Sequence, residues 1–272
     1  MFAAGYCPPP GERVIVFVQG LYTSLEDGQT GVGPLGERRF ATLRQAFRDA
    51  GFPDERLLDF SYAGGRVDDT GRWVPEDYGC LDTDRPTEAS VDRLDAMLRA
   101  YREAHPKAGF VLVGHSLGGY IAFELAEREA ARTDKVGLSA VVTIDAPLLG
   151  ASADKQAVLD LVECDGKTYA AGADLVRLAS DPAAQEAQRA AARAIRADAI
   201  RLATIGNAND CLYYPTPCGL PGPFADDRAT QTLEGADLAL YEAIASGPFE
   251  SHEIATVYAP YVDAIVRFAG PP

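Results

Sequence analysis

Ser116 sits in Gly114-His115-Ser116-Leu117-Gly118, a G-x-S-x-G pattern with a further glycine, Gly119, directly after it. The apolar run Phe110-Val-Leu-Val113 precedes it and Tyr120-Ile-Ala-Phe-Glu-Leu-Ala126 follows, which places the pattern between a strand and a helix. A sharp turn there lifts the hydroxyl out of a sheet, and small flanking residues are needed because such a turn has no room for larger ones. A serine hydroxyl becomes a useful nucleophile only with a base to take its proton and an acid to orient that base. The chain has three histidines. His105 precedes Pro106 in the loop entering the Ser116 strand, at the edge opposite the serine. His115 adjoins Ser116 on the turn and is therefore directed elsewhere. His252, in Gly247-Pro-Phe-Glu-Ser-His252, remains as the base. The acid should lie between serine and histidine, just after a strand. Asp210 does, leaving Ile205 through Gly206-Asn-Ala-Asn; Asp145, after Ile144, is the competitor. Asp226 and Asp227 read as a solvated turn. Two backbone N–H groups must hold the oxyanion. Leu117 supplies one, and Leu21, after Gln19-Gly20, supplies the other.

These residues need a frame. Arg13-Val-Ile-Val-Phe-Val18 is a continuous apolar run that reads as a buried strand, followed by a glycine-rich loop to Gly36 and a helix from about Arg39 to Ala50. Leu57 to Tyr62 alternates like a strand, residues 66–86 read as a long surface loop, and Thr87 to Ala104 is a helix with Thr87 and Ser90 as candidate caps. Strands follow at 140–144 and 200–205, and an amphipathic helix runs from Tyr258 to Phe268. Between 151 and 197 the chain is rich in alanine, with apolar residues at helical spacing. Strands alternating with helices imply a single α/β domain over 1–272, a mainly parallel central sheet with helices on both faces.

Composition narrows the partners. The 272 residues carry a formal charge of −15, which repels phosphate backbones and anionic lipid surfaces, so nucleic acid is not an expected partner. No apolar run is long enough to span a bilayer. Residues 1–10 lack the basic patch and apolar run of a signal peptide. Of five cysteines, Cys211 and Cys218 lie close together in a proline-rich loop, and Cys7 is placed to pair with Cys80. Such bridges favour secretion, with the signal absent from this chain; buried free thiols in the cytoplasm are the alternative. The sequence does not decide the oligomeric state.

Other signals carry less. Gly31-Val-Gly-Pro-Leu-Gly36 matches the dinucleotide fingerprint, but lies more than ten residues beyond Val18 and contains Pro34, so a nicotinamide-dependent oxidoreductase is a minor alternative. His252-Glu253-Ile-Ala-Thr256 lacks the second histidine of a zinc protease, and no metal or cofactor is expected. Tyr22, Tyr213 and Tyr214 fall near the site and could line an apolar substrate pocket, or simply pack.

Together these pieces resemble the α/β-hydrolase superfamily, in its lipase and esterase branch, from Val14 to Phe268. The motifs that carry the likeness are Gly114-His-Ser-Leu-Gly-Gly119, the first strand with Gly20-Leu21, Thr143-Ile-Asp-Ala-Pro-Leu-Leu-Gly150, and the Ser251-His252 loop. In that branch a histidine usually precedes the oxyanion glycine, where this chain has Gln19. The resemblance implies an α/β-hydrolase fold with a cap or lid over 151–197. It also implies a Ser116–His252–Asp210 triad that cleaves a small-molecule or lipid ester through an acyl-enzyme. A bridge beside the acid, as in cutinase-like enzymes, is similar to the Cys211–Cys218 pair. An acyltransferase or thioesterase could use the same triad, and a binding protein could use the same fold without catalysis.

Overall fold

A computed structural model of the chain describes residues 12–26, 29–32, 40–151, 164–210, 232–244 and 251–272. Six strands form one sheet: β1 (Arg13–Val18), β4 (Leu57–Asp59), β7 (Gly109–His115), β8 (Leu138–Ile144), β9 (Arg201–Asn207) and β10 (Leu238–Glu242), in the order β10-β9-β8-β7-β1-β4. All five pairings are parallel. A parallel sheet is covered on both faces, which is why β1, β7 and β8 are mostly apolar and are buried along their whole length.

Alternation along each strand divides two cores. Val14, Val16, Phe110, Leu112 and Val141 face α2 (Thr87–Ala104), α3 (Leu117–Ala131) and α5 (Pro182–Ala197). Ile15, Phe17, Val111, Val113, Val142 and Ile144 face α1 (Ala41–Asp49) and α6 (Ala259–Ala269). From β1 the chain goes to β4 on one side and then crosses to β7 on the other. The sheet therefore reverses its order between β1 and β7, and such a switch point opens a crevice at the carboxyl ends of the strands.

Several expectations are corrected. The strand expected to Tyr62 ends at Asp59, because Ser61–Gly64 closes a turn, Gly64 N–H donating to Ser61 O at 3.1 Å. The expected loop 66–86 holds an antiparallel pair, β5 (Gly65–Val67) with β6 (Trp73–Pro75), and a 3-10 turn over Cys80–Asp84. Neither Thr87 nor Ser90 caps α2. Asp174 does so from a distant segment, accepting from Thr87 N–H at 2.8 Å and Oγ1 at 3.0 Å. Strand β10, short and half exposed at the sheet edge, was not expected.

The Cys7–Cys80 pairing is wrong: Cys80 is bonded to Cys164, with Cα atoms 6.1 Å apart. The physical reason is the Cys80–Asp84 turn, whose Asp84 carboxylate accepts from Thr168 N–H at 2.6 Å and Tyr169 N–H at 2.8 Å and so draws that segment alongside. Cys7, Cys211 and Cys218 lie outside the described residues. The segment expected as a cap contains two helices, α4 (Ala170–Ser180) and α5. Helix α5 connects β8 to β9 and buries Ala191, Ala192 and Ile195 in the core shared with α3, so it belongs to the sheet's helical layer. Helix α4 stands on the loop leaving β8, where Ala151 N–H donates to Leu175 O at 3.2 Å. The Gly31–Gly36 fingerprint begins inside β3 (Gln29–Val32), antiparallel to β2 (Thr23–Glu26), and not in a strand-to-helix turn; residues 33–36 lie outside the described residues.

Candidate active site

Among the described residues five non-glycine residues have positive φ, and three of them mark the carboxyl edge of the neighbouring strands β1, β7 and β8: Tyr22 (57°), Ser116 (55°) and Asp145 (47°). Side chains rarely sit in this region unless the surroundings hold them there, so such clustering points to a functional edge. Ser116 closes β7 and immediately precedes α3; its N–H donates to Ile144 O at 2.8 Å, and its carbonyl accepts from Gly119 N–H at 2.9 Å. The neighbouring glycines are required by close approach. A Cβ on Gly114 would lie 2.4 Å from Gly118 O, and one on Gly118 would lie 2.1 Å from Val18 O and 2.3 Å from Gln19 O. The start of α3 is thus pressed onto the end of β1. Leu117 opens α3, so its N–H is one of those a helix leaves without an internal partner. Leu21 lies two residues past Gln19, on the same edge. Its N–H meets no acceptor among the described residues.

His252 Nδ1–H donates to Asp210 Oδ2 at 2.6 Å, with Asp210 fully buried and the His252 side chain 15% exposed. Asp145 is directed differently: its Oδ1 accepts from Asn207 N–H at 2.7 Å. Burial, and after it the nearby Asp210 charge, push the Asp145 carboxyl well above the ordinary carboxylate range, against the lowering effect of the Asn207 bond.

Two residues that sequence reasoning did not assign hold the histidine loop. His115, fully buried, donates from Nε2 to His252 O at 2.6 Å; a carbonyl only accepts, so this nitrogen carries the proton. The two rings lie 4.7 Å apart, which places His252 beside the residue preceding Ser116. Asn207, at the end of β9, donates from Nδ2 to Ser251 O at 2.7 Å, and its Oδ1 accepts from Asn209 and Ile244 N–H, both at 3.0 Å. One amide thereby ties together the acid loop, the end of β10 and the histidine loop. The only sequence signal for it was a polar residue ending an apolar strand.

The remaining expected residues divide. His105 is remote, stacked on Tyr101 with ring centroids 4.3 Å apart and bonded through Nε2 to Gly71 O at 2.6 Å. Tyr22 is buried, with Lys167 Nζ 5.2 Å from its ring centroid. Tyr213, Tyr214, Asp226 and Asp227 lie outside the described residues. Among the described residues no group of three or more His, Cys, Asp or Glu is arranged to hold a metal, and no helix is long and apolar enough to cross a membrane.

Comparison with known proteins agrees with this architecture. A family model described as Thioesterase domain matches residues 81–208, just under half of the chain. No curated protein matches in sequence. Among solved structures, the phospholipase PlaB of Legionella pneumophila superposes with a TM-score of 0.59 at 11% identity, over 95% of this chain and 60% of that one. This chain therefore spans about three-fifths of PlaB. A carboxylesterase structure from Nitrososphaera gargenis gives 0.51 at 13% identity, covering 95% and 91% of the two chains. A carboxyl esterase from Bacillus coagulans gives 0.50 at 14%, covering 97% and 91%.

Proposed function

From the α/β-hydrolase fold that this chain has, we propose that it is a serine hydrolase acting on carboxylic esters. The observation that carries the reading is the 2.6 Å bond from His252 Nδ1 to Asp210, at the sheet edge where Ser116 leaves β7. In the proposed reaction Ser116 Oγ forms a bond to the acyl carbon while its proton passes to His252 Nε2. The carbonyl electrons move to the oxygen, held by the amides of Leu21 and Leu117. The tetrahedral species then expels the alcohol, which takes the proton from Nε2. A water molecule repeats the sequence, giving its proton to Nε2, and Ser116 Oγ recovers that proton as the acid departs. Asp210 holds the tautomer with the proton on Nδ1, which makes Nε2 the basic nitrogen, and stabilises the imidazolium. In this reading helix α4, on the loop leaving β8, serves as the part of the expected cap that covers this edge, and Tyr22 is a candidate lining residue.

The Thioesterase domain match supports a second reading, in which the acyl group arrives on sulfur. The same attack and acyl-enzyme serve both substrates, since only the leaving atom differs.

A panel of p-nitrophenyl esters from acetate to palmitate, run beside acyl thioesters with a thiol-detecting dye, separates the two. Ser116→Ala should lower turnover by about 10⁴-fold or more and abolish labelling by a fluorophosphonate, while its melting temperature stays near wild type. Full activity in that variant would end the proposal.

A further inference from the structure

We infer that Thr83 is a positioning residue for the oxyanion site, acting on Leu21 through the backbone amide of Tyr22. The inference rests on the hydrolase reading and adds to it a residue far from the acid and the base in sequence.

The Leu21 N–H can serve an oxyanion only if the two peptides around it are fixed. In the first, Gly20 O accepts from Thr23 Oγ1 at 2.9 Å. A trans peptide directs its carbonyl and its N–H to opposite sides, so this bond turns the Leu21 N–H away from Thr23. In the second, Tyr22 N–H donates to Thr83 Oγ1 at 2.8 Å. Thr83 is fully buried and its own hydroxyl proton is committed to Cys80 O at 2.7 Å, so its oxygen is held as an acceptor facing Tyr22.

That bond matters because Tyr22 has φ +57°, a conformation a bulky side chain leaves when it is not restrained. Relaxing Tyr22 to negative φ rotates the Leu21–Tyr22 peptide and with it the preceding amide. Upstream, Gln19 O accepts from Tyr62 Oη–H at 2.6 Å, so the loop is anchored on both sides of Leu21. Thr83 is the anchor that comes from the disulfide-tied turn. Its neighbour Asp84 grips Thr168 and Tyr169, and Cys80 is bonded to Cys164. The segment leading into α4 thereby bears on the oxyanion loop through the Thr83 hydroxyl, beside the approach of Lys167 to the Tyr22 ring.

The test compares Thr83→Val, which keeps the shape and removes the acceptor, with Thr83→Ser, which keeps the oxygen. For the best ester, Thr83→Val should lower kcat by about 10- to 100-fold with KM changed by less than about 3-fold, as expected for weakening one oxyanion donor. Affinity for a trifluoromethyl ketone, whose adduct on Ser116 carries an oxyanion, should fall by the same factor as kcat, and Thr83→Ser should restore both. If Thr83→Val does not fold, Thr83→Ala removes the same oxygen and carries the same expectation. Unchanged kcat and ketone affinity beside a lowered melting temperature would make Thr83 merely structural and overturn the inference. Wild-type protein that neither hydrolyses esters or thioesters nor reacts with a fluorophosphonate would instead overturn the hydrolase reading, and this inference with it.

Discussion

At the scale of single residues, the two buried aspartates differ in what they face. Asp210 faces an imidazole N–H, whereas Asp145 faces a backbone N–H and its neighbour's charge. Their amide substitutions should therefore diverge. Asp210→Asn offers His252 a donor as readily as an acceptor, and loss of the required tautomer should lower kcat by about 10⁴-fold. Asp145→Asn keeps an oxygen for Asn207 N–H and should leave turnover within a few-fold. Its signature is in stability. Because the Asp145 carboxyl is raised, the folded chain keeps a proton that the unfolded chain gives up above about pH 4, so this group's contribution falls as pH rises. Urea midpoints measured from about pH 4 to pH 8 should decline less steeply in Asp145→Asn than in wild type. Equal slopes would mean that Asp145 is ionised in the folded protein.

Between elements, the critical contact is α3 against the end of β1. The atoms nearest a Cβ on Gly118 are backbone carbonyls, which cannot rotate away. Gly118→Ala should therefore push α3 off β1, separate the amides of Leu117 and Leu21, and cost about 1–3 kcal/mol. Thermal melts should show a drop of several degrees together with loss of ester hydrolysis. Gly79→Ala is the control, since it has extended backbone (φ −104°, ψ 178°) and nothing within 4 Å of the added carbon. Comparable damage from both substitutions would refute the contact argument. Elements also explain the missed residues. Asn207 and His115 act on backbone carbonyls of a loop more than forty residues away, and no local pattern encodes such a partner.

Over the whole molecule, the Cys80–Cys164 bond closes a stretch of 84 residues that includes β7, α3 and β8. Cross-links of this span stabilise by about 2–4 kcal/mol, chiefly by restricting the unfolded chain. A reductant should lower the melting temperature by about 4–8 °C for a domain of this size. The Cys80→Ser/Cys164→Ser double variant should melt at that lower temperature and be insensitive to reductant. A double variant as stable as oxidised wild type would leave the bond without a stabilising part.

What repeats locally could be read from the order of the amino acids alone. Arg13–Val18 and Thr87–Ala104 lie where their apolar pattern put them, because a strand covered on both faces reads as a continuous apolar run and a helix with one buried side reads as apolar residues three or four apart. The Gly114–Gly119 turn was legible as a motif, although only Gly114 answers to neighbours a few residues away, while Gly118 answers to the backbone of Val18 and Gln19. With three histidines to choose from, elimination left His252 as the candidate base. Relations between distant segments came into view only with the packed elements. These are the choice of Asp210 over Asp145 as the partner of His252 Nδ1, Cys164 and not Cys7 as the mate of Cys80, Asp174 as the cap of α2, and Thr83 on the oxyanion loop. Periodicity reports which side of an element is buried, whereas a hydrogen bond or a disulfide depends on ångström-level approach between elements. That approach is set by how the packed layers stack, not by any one stretch of chain.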